Sequence, residues 1–112
     1  MEIHIRESGK VAILDLKGEF DLHNANLMKE TIKDMTEKGM FNILVNMDET
    51  SYLDSSGIGV LVSTLNSLQK ADGILKIMNI KGPVKKVFEF SQLDMIFKIY
   101  DNEKDALKSW GF

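Results

Sequence analysis

Residues 50–65 read TSYLDSSGIGVLVSTL. Asp54, Ser55, Ser56 and two glycines, Gly57 and Gly59, interrupt an otherwise apolar run. Before the interruption, MFNILVNM (40–47) is apolar and rich in strand formers, long enough for a buried strand and too short for a typical helix. After it, Ile58, Leu61, Leu65 and Leu68 recur at three, four and three residues, the spacing of one helical face. Val60 and Val62 widen that face, which predicts a helix buried over most of its circumference. The stretch is therefore read as the junction at which a central strand passes into a helix. Asp54 suits the N-cap there, because its carboxylate accepts bonds from backbone N–H groups that have no helical partner. Gly57 suits close packing of the helix start against the preceding strand.

On the N-terminal side, Ile3 and Ile5 and then Ala12, Leu14 and Leu16 alternate around the turn material ESGK, which reads as a hairpin. Ala25, Met28, Ile32 and Met35 define a first helix that Asp21 can cap, with Gly39 as its left-handed stop. On the C-terminal side Gly73 ends the central helix, and ILKIMNI (74–80) is a further strand. Pro83 opens a helix with Val84, Val87 and Phe88 on its inner face. MIFKIY (95–100) reads as a last short strand, and Asn102 caps a final helix carrying Ala106, Leu107 and Trp110. Strand, helix and strand in succession make parallel crossover units, so the expectation is one α/β domain over residues 1–112, with a small mixed sheet and a hairpin edge. Met28, Met35, Met40, Met47, Met78 and Met95 are expected to fill the core.

Composition narrows the function. The chain has 112 residues, 44% hydrophobic and 28% charged, a globular balance that suits one core. With a net charge of −3 and lysines scattered among acids, no basic face is assembled for nucleic acid. The chain has no cysteine, and its first residues lack the basic-then-apolar pattern of a secretory signal. No apolar run approaches the roughly 20 residues needed to span a bilayer, so no membrane insertion is expected and the cytoplasm is the expected compartment. Lys85 and Lys86 read as solvent charges.

Catalytic chemistry has little to work with. Asp54 stands where a GxSxG elbow requires its first glycine. His4 and His23, the only histidines, have no spacing that implies a triad. Phosphate-loop and dinucleotide glycine patterns are absent, no metal-ligand pairs stand out, and no cofactor is expected. What survives is a hydroxyl at a helix start on the edge of the sheet where ligands and partners meet open α/β folds. A hydroxyl there is open to phosphorylation.

LKGEFDLHNANLMKE (16–30), LDSSGIGVLV (53–62) and PVKKVFEFSQLDMIFKIY (83–100), in this order and spacing, resemble the bacterial anti-sigma factor antagonists, the stand-alone members of the STAS domain family. The resemblance implies one mixed sheet with helices packed largely on one side. It implies a protein that is not an enzyme, and whose unphosphorylated form binds an anti-sigma factor that is also an ATP-dependent serine kinase, releasing the sigma factor. Phosphorylation of Ser55 ends the binding, with Ser56 as the alternate acceptor, and a PP2C-type phosphatase resets the cycle. Asp21, Asp54, Ser56, Gly57 and Ile58 form the implied partner-contact patch. The competing reading is a scaffold or subunit of a stress-signalling or membrane transport complex, in which the serine only helps start a helix.

Overall fold

The computed structural model describes all residues, Met1–Phe112. Five strands, β1 (Glu2–Ser8), β2 (Val11–Phe20), β3 (Asn42–Leu53), β4 (Ile74–Met78) and β5 (Lys98–Tyr100), form one sheet in the order 1-2-3-4-5. The first pair is antiparallel and the rest are parallel. Helices α1 (Ala25–Glu37), α2 (Ser55–Lys70) and α3 (Gly82–Phe90) make the three crossovers, and α4 (Glu103–Lys108) follows β5.

Sequential strand order explains where the helices lie. Parallel crossovers are right-handed, so three of them stepping in one direction put α1, α2 and α3 on one face. That face holds the larger core, including Leu14, Phe20, Met28, Ile43, Val45, Leu61, Leu75 and Phe88. On the other face α4 covers a smaller cluster, Val11, Ile13, Leu44, Met78 and Ala106. The expected mixed sheet with its helices largely on one side is the fold observed. Because the strand order never reverses, the crevice of doubly wound folds has no place to form.

Several expectations change in detail. The strand expected at 40–47 runs on to Leu53 through two register shifts against β2, which add residues to β3 and carry it to the sheet edge. Only Lys98–Tyr100 of the segment 95–100 is strand. Gln92 takes a left-handed conformation, with φ of 55°, and turns the chain into a 3-10 turn over Leu93–Met95. That turn throws Met95 outward, so it is 81% exposed instead of core, while Met28, Met35, Met47 and Met78 are buried and Met40 is half-buried. Helix α2 is covered on less of its surface than its apolar count suggested. Gly57, Val60, Leu61, Thr64, Leu65 and Leu68 are buried, whereas Ser55, Gly59, Ser63, Asn66 and Ser67 face outward. The first helix is preceded by a short 3-10 turn, Leu22–Asn24, and it is this turn that Asp21 caps.

Candidate functional site

Parallel strands β2 and β3 end in register, with Phe20 paired to Leu53. The next residue on each is an aspartate, and each aspartate caps the helical turn that comes after it. Asp54 Oδ1 accepts from the backbone N–H of Ser56 (2.9 Å) and Gly57 (3.2 Å). Asp21 Oδ1 accepts from the backbone N–H of Asn24 (3.2 Å) and from its side-chain amide (3.0 Å), which also donates to Glu19 O. The Asp54 N–H donates to Phe20 O at 3.4 Å and stitches the two corners together. Two acid-capped helical starts thus lie side by side on one edge of the sheet. Each cap is worth about 1 kcal/mol against alanine.

Ser55 is the first residue of α2 and is exposed; Ser56, the next, is half-buried. Capping is done by Asp54, so the Ser55 hydroxyl is not needed to hold the helix. Ile58 is half-buried and packs against the main core, so its part of the corner is an apolar shoulder. Asp21, Asp54, Ser55, Ser56, Gly57 and Ile58 therefore share one corner, although Gly57 itself is buried.

The two glycines of the interruption have different physical reasons. A Cβ on Gly57 would stand 2.6 Å from Leu53 Cδ1 and 2.7 Å from Phe20 O, so the helix start can approach the strand ends only without a side chain. Nothing lies within 4 Å of a Cβ built on Gly59, although glycine within a helix costs about 1 kcal/mol relative to alanine. Gly59 instead lines a shallow cavity of about 290 Å³ with Leu22, Lys29, Ser55, Ser56 and Ser63. Sequence reasoning missed Leu22, 70% exposed beside the cap, and Lys29. A leucine directly after a capping aspartate was the available signal for the first; Lys29 had none, because its neighbours come from another helix.

The sequence signals and the geometry meet in a known family. The STAS domain profile matches residues 2–106, and the chain belongs to that family, within it to the anti-sigma factor antagonists. The anti-sigma-B factor antagonist of Staphylococcus aureus is 30% identical over 95 residues, covering 83% of this chain and 88% of its own. A Thermotoga maritima protein classed with the anti-sigma factor antagonists has a crystal structure that superposes with a TM-score of 0.90 at 28% identity, over 96% of this chain and 92% of the other. The phosphorylated form of SpoIIAA, a Bacillus cell fate determinant, shares the fold with a TM-score of 0.75 at 24% identity, over 96% of this chain and 98% of the other. No helix of this chain is long and apolar enough to cross a membrane.

Proposed function

We propose that this chain binds an anti-sigma factor that is also a serine kinase, so releasing a sigma factor, and that phosphorylation of Ser55 ends the binding. The observation that carries the reading is the division of labour at the start of α2: Asp54 holds the cap, and the exposed Ser55 hydroxyl is left free to react. The relatives support the same reading, one being an anti-sigma-B factor antagonist and another having been seen in a phosphorylated form.

Magnitudes explain why such a modification would switch binding and not folding. A phosphate on Ser55 adds about −1.5 to −2 charges. The helix N-terminus favours it by only about 0.3 to 1 kcal/mol at an exposed site, and Asp54 opposes it. Against a docked partner, a like-charge contact near 4 Å at an effective dielectric of about 20 costs roughly 4 kcal/mol. Half of that lowers affinity by well over tenfold. Asp21, next to Asp54 across the strand ends, adds a second carboxylate to the face that the kinase would read. A PP2C-type phosphatase would reset the cycle.

Ser55→Asp should lower affinity for the anti-sigma kinase at least tenfold in calorimetry while moving the melting temperature by less than about 2 °C. Incubation of the wild type with that kinase and ATP should place phosphate on Ser55 by mass spectrometry. An active kinase that leaves Ser55 unmodified, or a Ser55→Asp variant that binds as tightly as the wild type, overturns the proposal.

A further inference from the structure

Beyond the Ser55 corner, a second cavity of about 360 Å³ lies between α1 and α2, lined among others by Lys29, Lys33, Ser63 and Ser67, with Ile32, Phe41 and Leu68 as its apolar part. It shares Lys29 and Ser63 with the cavity that holds Ser55 and Gly59. The two follow one another along α2, the first from Ser55 to Ser63 and the second from Ser63 to Leu68, and are taken together as a groove. Three independent observations say what the groove is shaped for.

Gly59 is exposed within α2, touches nothing that a methyl group would strike, and lowers helix stability with no packing return. A bare backbone at such a place permits another chain to come close. Leu22 stands exposed at the mouth, where an incoming chain would cover it. Lys29 carries an unpaired charge on the wall: the ion pairs of the molecule are Arg6 with Asp15 and Glu103, Lys17 with Glu49, Lys33 with Glu37 and Lys81 with Asp48.

We infer that this groove seats a backbone segment of the anti-sigma partner, passing over Gly59 and setting an acidic side chain against Lys29. The inference rests on the proposed docking at Ser55 and extends its footprint along the α1–α2 seam. The footprint then has two parts with opposite charge preference. The Asp21 and Asp54 carboxylates at the corner disfavour anions, and Lys29 on the groove wall favours one.

The experiment measures affinity for the anti-sigma factor and the melting temperature of the free protein, in four variants. Gly59→Ala should raise the melting temperature by roughly 4 °C, because alanine is the better helix former, yet lower affinity about threefold to tenfold. Gly59→Leu should lower affinity further. Lys29→Glu should lower it about tenfold, and the loss should shrink as salt is raised from about 50 to about 500 mM; Lys85→Glu, an equal charge change at an exposed position of α3, should leave affinity within about twofold. If Gly59→Leu does not fold, Gly59→Ala and Lys29→Glu decide alone. Full affinity in Gly59→Ala and Lys29→Glu, with Ser55→Asp still abolishing binding, overturns the groove and leaves the switch standing. Loss in the groove variants with Ser55→Asp unaffected keeps the groove as a docking surface and removes the switch.

Discussion

Two polar regions of this molecule use the same residue types in opposite ways. At the Ser55 corner the carboxylates of Asp21 and Asp54 bond backbone two or three residues ahead in the chain. Across the sheet, beneath α4, Arg6 donates to Asp15 at 2.7 Å and to Glu103, 97 positions away, at 2.6 Å. Asn46 adds a bond to Asp15 at 2.8 Å. Lys76, only 7% exposed, lies 4.4 Å from the Trp110 ring centre and donates to Ser109 at 2.7 Å, while the Trp110 indole N–H reaches Asn42 at 3.1 Å. Beneath α4, Arg6 is matched with two carboxylates and Lys76 with aromatic rings and a hydroxyl, whereas the acids of the corner meet only backbone and amide groups. On the proposed reading, the corner that answers to one added charge keeps its acids out of ion pairs, whereas the clamp that holds the terminal helix ties its acids to Arg6.

The largest effect that would break this contrast lies at Gly57. If the corner were a loosely held surface feature, Gly57→Ala would be harmless. The added methyl would instead meet Leu53 and the Phe20 carbonyl, backbone of the neighbouring strand that cannot swing aside. The expected cost is about 1 to 3 kcal/mol in denaturant unfolding, even though alanine is intrinsically the better helix former. A variant as stable as the wild type would mean that the start of α2 can move away from the strand ends. In that case Ser55 would not be held on a fixed corner.

A smaller effect sharpens the division of labour between Asp54 and Ser55. Asp54→Ala removes the acceptor for two backbone donors and should cost about 1 kcal/mol. Ser55→Ala, which removes a hydroxyl that does no capping, should stay within about 0.5 kcal/mol of the wild type. Equal losses in the two would show Ser55 to be structural.

The contrast also explains what the sequence could reveal. Asp21 with Asn24, Asp54 with Ser56 and Gly57, and Gly39 after α1 act within a few residues of themselves, so spacing alone marks them. Alternation and helical periodicity likewise report the core face of each element, and strand, helix and strand in succession signal parallel crossovers, although not the order of the strands in the sheet. The clamp beneath α4 was invisible, because Arg6, Asp15, Asn46 and Glu103 meet only once the hairpin, the sheet and the last helix are assembled. The exposed side of α2 was misjudged for a related reason: Val60 and Val62 look equally apolar, but Val60 is buried in the core and Val62 only half-buried against it. Likewise the outward turn of Met95 depends on a left-handed Gln92, a conformation that a glutamine does not advertise.

Acid gives the most graded comparison. Hydrogen bonds from Arg6 hold the Asp15 carboxyl below its usual value of 3.8, helped by Asn46 and opposed by partial burial; the same contacts push Arg6 up, so it stays charged at any accessible pH. A carboxyl whose folded value is depressed stabilises the fold above its unfolded value, and that contribution drains away as pH falls through the folded one. At neutral pH an Asp15→Asn variant should therefore melt below the wild type, by less than the Asp54→Ala variant does. The gap should begin to close just under about pH 4 and vanish once Asp15 is protonated in the folded protein as well. Melting curves from neutral pH down to about pH 2.5 test this. A gap of constant size would mean that Arg6 recognises the shape of residue 15 and not its charge, and the clamp under α4 would then differ from the corner in reach alone.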